Sequence, residues 1–167
     1  MTVETAETNE SDEYGEDKDD RPLRGYVTLM AAYGIFVGVL ALVLRKRRIV
    51  PQLGIGDVAL LTVATHKVSR VVTKDAITSP LRAPFVRYVE PAGAGEINEQ
   101  VRVGGTAHAL GELLTCPLCF DVWAATAFLA GYSFAPRATR LAASVFVIGA
   151  ASNALHFGWD ALKKVDE

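Results

Sequence analysis

The sequence predicts an all-α, polytopic membrane protein with four transmembrane helices and a disordered acidic N-terminal tail. Three observations carry this expectation. Twenty consecutive uncharged residues, 25–44, stop at Arg45-Lys46-Arg47-Arg48. At about 1.5 Å per residue, that run spans the roughly 30 Å hydrocarbon core of a bilayer. Two more apolar runs follow late in the chain, separated by a short basic stretch. Finally, the hydrophobic half of the 167 residues is blocked into runs instead of being spread at a helical or strand period.

The net charge of −2 conceals an uneven distribution. Residues 1–20 hold nine of the 19 acids and one base, Lys18. The remainder carries 16 bases against 10 acids. An acidic block with so little aliphatic bulk reads as a solvated tail, so the domain reading is a tail at 1–24 and a transmembrane domain at 25–167. The first apolar run is too long for a signal-peptide core and is followed by bases instead of small residues, so it reads as a retained anchor.

The first helix is expected at 25–44, with Tyr26 placed to anchor it at the interface. The second is expected at 55–73, after Pro51 and Gly54, with Asp57 as N-cap. One face carries Leu60, Ala64, Val68 and Val71. Another carries Thr62, His66, Ser69, Arg70 and Thr73, with His66 and Arg70 four residues apart on one side. Apolar cover on more than one side favours spanning over lying flat at the interface. A polar connection at about 75–111 is broken by Pro80 and Pro84 and turns at Pro91, Gly93 and Gly95. Within it, Ile97, Val101 and Val103 suggest a short strand, and Thr106 is placed to cap a short helix ending near Leu114. The third helix is expected at 117–136, with Pro117 in its first turn. Arg137 to Arg140 reads as a tight basic turn before the fourth helix at 140–160.

Four spans put both termini on one side. Placing that side in the cytoplasm leaves 11 of the 17 bases inside; the inverse leaves six, including the Arg45–Arg48 cluster. The expectation is a multi-pass protein with cytoplasmic termini.

Candidate chemistry centres on Cys116-Pro117-Leu118-Cys119. Amides at a helix start stabilise a thiolate, and a second thiol three residues on can resolve a mixed disulfide. The surrounding sequence has no βαβ pattern, which excludes a thioredoxin fold. The same pair with His66 and His108 would make a Cys2His2 zinc set. The plainer reading, two small packing residues at a crowded helix start, carries more weight than either. No cofactor is expected, with zinc the one candidate. Arg70 is expected to find Asp121 or Glu112, a structural ion pair more than a proton relay, because pumps show more intramembrane charge. Walker, dinucleotide-binding, HExxH and GxSxG patterns are missing. The bases sit around the ends of the apolar runs, which points to lipid headgroups and away from nucleic acid.

Several stretches then act as a signature: Ala64-Thr65-His66-Lys67 with Ser69-Arg70; Thr73-Lys74-Asp75; Leu81-Arg82-Ala83-Pro84-Phe85; Gly111 through Cys119 with Trp123; and Pro136-Arg137 with Thr139-Arg140. Together, over roughly 56–160, they resemble a bacterial family of small integral membrane proteins of unknown function that includes the sporulation protein YjcA. The resemblance implies a protein of the bacterial cytoplasmic membrane and assigns no catalytic residue. The leading expectation is a non-enzymatic accessory or scaffold in a membrane complex. Small residues in the fourth helix (Ala142, Ala143, Gly149, Ala150, Ala151) permit close packing with itself or with other membrane proteins. A thiol-redox or metal-binding protein and a small ion or solute transporter component are the alternatives.

Overall fold

The computed structural model describes residues 23–164. The acidic tail, up to residue 22, lies outside the described residues, and so does its expected disorder.

Helix α1 spans Leu23–Arg47, so the basic cluster extends the helix by three residues beyond its apolar run. Helix α2 spans Ile55–Thr73. A 3-10 turn at Ala76–Thr78 and the short α3 at Ser79–Arg82 lead into strands β1, Val86–Gly93, and β2, Glu96–Val101. Helices α4, Thr106–Thr115, α5, Pro117–Phe134, and α6, Pro136–Lys163, complete the fold. The fold is therefore mostly helical but not all-α, because β1 and β2 form a two-stranded antiparallel sheet. Only the β2 part of this hairpin was visible as an apolar alternation. β1 is exposed beyond Val86, so it carries no buried face for periodicity to reveal.

Two helices, α1 and α6, are long and apolar enough to cross a membrane. Helices α4 and α5 together pass the same test but are bent by 84° at Cys116. Helix α2 falls outside that group, because Asp57, Lys67 and Arg70 break its apolar character. Four membrane helices are thus not established by length and composition; two are, with the bent pair as a third.

Helix α2 nonetheless lies at the centre of the packing. Leu61 and Ala64 of α2 meet Tyr132 of α5 and Ala143 of α6 in the main core, with Phe128 and Phe146 packed against it. Ala64 and Ala143 are fully buried, which lets the helix backbones approach closely. Phe128 and Phe146 meet edge to face, with centroids 6.5 Å apart. Ser69 and Thr73, expected on a polar face, are buried instead. Their hydroxyls donate to the carbonyls of Thr65 (2.9 Å) and Ser69 (2.7 Å) and need no external partner.

Helix α1 docks on α4 and α5. Tyr33 packs edge to face on Trp123 with centroids 5.1 Å apart, and its hydroxyl is 2.8 Å from Thr126 Oγ1. The rest of α1 is exposed and apolar, including Val27, Met30, Ile35 and Leu42.

Several ends differ from expectation. The N-cap of α2 is Gly54, and Asp57 stands at the third helical position. Helix α4 is capped by Gly105, one residue before Thr106. The basic stretch from Arg137 to Arg140 is helical and forms the opening turn of α6. Pro136 fits the first position, and the chain reverses at Ala135 alone.

The α1–α4 contact is tight at Gly25, where an added Cβ would lie 2.9 Å from Ala109 Cβ and 3.3 Å from the Gly105 carbonyl oxygen. Gly25→Val should therefore cost about 1–3 kcal/mol by overpacking. Gly34→Ala, whose Cβ would meet nothing within 4 Å, should be neutral or stabilising. Thermal unfolding of the two variants in detergent checks the contrast.

Candidate functional site

The polar residues collect at both ends of the α2/α5/α6 bundle and along one groove between them. At one end, Asp57 accepts a two-pronged contact from Arg140: Nε to Oδ1 at 2.6 Å and Nη2 to Oδ2 at 2.9 Å. The Tyr132 hydroxyl donates to Asp57 Oδ2 at 2.8 Å and accepts from Arg140 Nη2 at 2.7 Å. The Gly54 amide adds a bond to the same carboxylate at 3.1 Å. Three helices are thereby locked by one carboxylate, in the bidentate geometry that guanidinium and carboxylate share. The Arg140 guanidinium also sits 5.2 Å from the Tyr132 ring centroid.

The opposite end is the cap formed by the hairpin. Arg82 is fully buried and pairs with Glu99, itself 4% exposed. Its other nitrogens donate to the carbonyls of Val72 (2.6 Å) and Asp75 (3.0 Å) and to Thr78 Oγ1 (2.7 Å). The hairpin is tied to the end of α2 by Ile97 N–H to Lys74 carbonyl and Ala76 N–H to Gly95 carbonyl, both 2.9 Å. Its turn uses Gly93, Ala94 and Gly95, all at positive φ, a region that glycine enters without steric cost.

Arg70 does not pair with Asp121 or Glu112 as expected. Its Nε donates to Glu96 Oε1 at 2.9 Å, and Nη2 reaches Oε2 of the same carboxylate. The hairpin delivers Glu96 across the end of α2, a partner that sequence spacing did not reveal. Glu112 is engaged elsewhere: it accepts from the Tyr26 hydroxyl and lies 3.6 Å from His108 Nε2. Asp121 is left with a buried carboxylate oxygen, Oδ1, that has no hydrogen-bond partner.

The four proposed zinc ligands are not brought together. Among the described residues, no three His, Cys, Asp or Glu side chains converge to hold a metal ion. His108 is turned into the α4 start, with Nδ1 3.0 Å from the Val103 carbonyl, and His66 lies on α2. Cys116 and Cys119 are free thiols at the α4–α5 elbow. The Cys119 amide donates to Cys116 Sγ at 3.2 Å, so Cys116 acts as the cap of α5.

Two openings border these groups. A polar cleft of about 1190 Å³ lies between α2, the hairpin turn and α6, lined by His66, Lys67, Arg70, Asp75, Glu96 and Asn153 among others. With the Asn153 amide oriented to satisfy both its atoms, Lys67 Nζ donates to it at 2.9 Å. A second groove of about 530 Å³ runs between α2 and α5, where Thr62, Thr65 and His66 face Asp121.

Sequence reasoning named His66, Arg70, Glu112 and the cysteines, but not the partners that the structure gives Arg70 and Glu112. It missed the Asp57–Tyr132–Arg140 lock and the buried Arg82–Glu99 pair. The available signal was the presence of Asp57 and Arg82 in otherwise apolar surroundings, since such charges are kept only when paired.

The family described as Protein of unknown function (DUF1360) matches residues 60–159, from the second turn of α2 to near the end of α6. Sporulation protein YjcA of Bacillus subtilis (strain 168) is 31% identical over 86 residues, which cover 50% of this chain and 73% of that protein. No solved structure matches the chain.

Arg82→Ala should destabilise the fold by about 3–5 kcal/mol, because it strands Glu99 as an uncompensated buried charge. Replacing both partners with apolar residues of similar volume, Arg82→Met with Glu99→Leu, should recover most of that loss. Unfolding midpoints of the two variants test the claim.

Proposed function

The chain belongs to this family of unknown function, and from that premise we propose that it is a multi-pass membrane protein acting as a non-enzymatic accessory or scaffold. The observation that supports this reading is the division of labour between bundle and cap. Asp57 with Arg140 at one end of the bundle, and Arg70 with Glu96 and Arg82 with Glu99 at the other, are paired inside the chain, while the hairpin presents an exposed strand beyond the bundle, with Tyr88 and Val89 uncovered. An open strand edge with apolar side chains is a ready template for a partner segment to pair with.

In this reading α1, α2, α5 and α6 all cross the bilayer. Helix α2 crosses as a guest of the other helices, with Asp57 locked at one boundary and Arg70 capped by Glu96 at the other. Helix α4 then lies at the surface, and the 84° elbow marks where α5 enters. The termini, the hairpin and the cysteine pair share one face, the cytoplasmic one by the count of basic residues. The apolar exteriors of α1 and α6, with Leu141, Val145, Ile148 and Leu155 exposed on the latter, face lipid. The partner is another membrane protein that lies against this cap.

A second reading, thiol redox, is supported by the proximity of Cys116 and Cys119 and the exposure of Cys119. Reversible oxidation of the pair, read as a change in maleimide labelling on cycling between oxidant and reductant, would favour it over the scaffold. A transporter role has no comparable observation behind it.

Alkaline carbonate washing of membranes should leave the chain in the pellet. Its quantitative release would overturn the membrane reading. Tyr88→Asp with Val89→Asp should leave membrane retention and thermal stability unchanged while abolishing cross-links to a co-purifying partner. Unaltered cross-linking in that variant would remove the hairpin from the proposal.

A further inference from the structure

Helix α2 and helix α5 run antiparallel, with Asp57 at the start of one bonded to Tyr132 at the end of the other. His66 is nine residues along α2 from Asp57, and Asp121 is 11 residues back along α5 from Tyr132. At 1.5 Å per residue these are about 14 Å and about 17 Å from the same lock. The two side chains therefore lie at nearly the same level, toward the hairpin side of the bundle, with Asp121 in the second turn of α5. Both line the α2–α5 groove, together with Thr62, Thr65, Val58 and Val122.

Ionisable groups within a membrane span are costly and are almost always paired or turned inward. Here His66 and Asp121 are not paired with each other. His66 and Thr62 are exposed on the outer face of the bundle. Among the described residues, Asp121 Oδ1 is the buried side-chain polar atom with no hydrogen-bond partner. The Thr62 hydroxyl hydrogen is already donated to the Val58 carbonyl at 2.8 Å, so it does not supply Asp121. One polar stripe thus holds a donor, His66, and an unsatisfied acceptor, Asp121, at one depth and unpaired with each other.

We propose that this groove is the self-association face of the protein, in which His66 of each copy donates to Asp121 of the other. A two-fold axis along the membrane normal keeps every residue at its own depth, so a reciprocal contact requires donor and acceptor to share a level, as these two do. Such an isologous interface uses the same patch on both copies and makes each contact twice. Neighbouring Thr62, Thr65 and Ala125 are small enough to let the helices approach. The other carboxylate oxygen of Asp121 is not buried and likewise accepts no hydrogen bond among the described residues, so it is the one open to a donor from the groove. The occupant is a second copy because the stripe is complementary to itself, donor to acceptor. The inference rests on the membrane-spanning reading of α2 and α5, and it supplies the scaffold with an oligomeric form.

The test is disulfide cross-linking in native membranes between two differently tagged full-length chains. Both carry Cys116→Ser and Cys119→Ser, since serine retains the capping oxygen. One also carries His66→Cys and the other Asp121→Cys. Oxidation should join the two tags, and moving the second cysteine to Leu155 on α6 should abolish the product. In reconstituted vesicles, Asp121→Ala should raise the protein-to-lipid ratio needed for dimerisation by about ten-fold, from two lost hydrogen bonds. The exchange His66→Asp with Asp121→His should restore association to within about three-fold. Absence of the cross-link, or a wild-type chain that stays monomeric at every ratio, would overturn the dimer. A cross-link to a different protein would replace the second copy with that partner. Carbonate-resistant but monomeric protein defeats this inference alone, whereas carbonate release defeats the membrane reading beneath it.

Discussion

The fold depends on one carboxylate. Asp57 is the point where α2, α5 and α6 are held together, through Arg140 and Tyr132. Without it, three helices of unequal hydrophobicity share only a small core in which Ala64 and Ala143 are the fully buried members. Small residues bring backbones close but supply little directional information, so helix register is left for polar contacts to fix. The bidentate Asp57–Arg140 pair fixes it, because two parallel N–H···O bonds tolerate only one relative rotation. Tyr132 adds a second constraint on the same carboxylate and also belongs to the core, which links polar lock and apolar packing in one side chain.

The far end of the bundle solves a related problem differently. Helix α2 carries Arg70 in its last turn, and Arg82 follows nine residues after the helix ends at Thr73; both need anions close by. The hairpin supplies both, Glu96 to Arg70 and Glu99 to Arg82, from a single strand. Glu96 and Glu99 lie three residues apart in β2, an odd spacing that turns them to different sides of the strand and lets them serve two sites. The hairpin is thus held by charge more than by apolar burial, which a two-stranded ribbon alone could not achieve. This explains how β1 remains exposed and available while its partner strand is anchored.

The legible parts of this fold were those written in hydropathy and proline. The α2 bounds, the Pro117 start of α5 and the apolar run of α1 followed directly from Gly54, Pro117 and the basic cluster at Arg45. Helix α6 was legible only in part, because Arg137 and Arg140 looked like a turn. In the structure Arg140 is helical, since its charge is answered by a residue 83 positions earlier. That is the general reason the site was less readable than the fold. Arg70 was recognised as needing an acid, but Asp121 and Glu112 were chosen for their nearness to a membrane face. Glu96, the true partner, became available only once β1 and β2 had paired. Spacing along a helix identifies neighbours within that helix. It says nothing about which acid a hairpin will bring.

The same accounting gives the α2–α5 groove its meaning. Elsewhere in the described bundle Arg70, Arg82 and Arg140 each meet a carboxylate, and the buried Ser69 and Thr73 hydroxyls donate to carbonyls of their own helix. Asp121 departs from that pattern, in the second turn of a helix that has no other charge. In an aqueous protein, solvent could reach such a carboxylate through the groove and the imbalance would be slight. Within a bilayer the groove opens onto acyl chains, which offer no donor. A chain that satisfies Arg82 with four separate contacts yet leaves Asp121 short is therefore incomplete as a lone copy in lipid, and what completes it must carry a donor at the depth of His66.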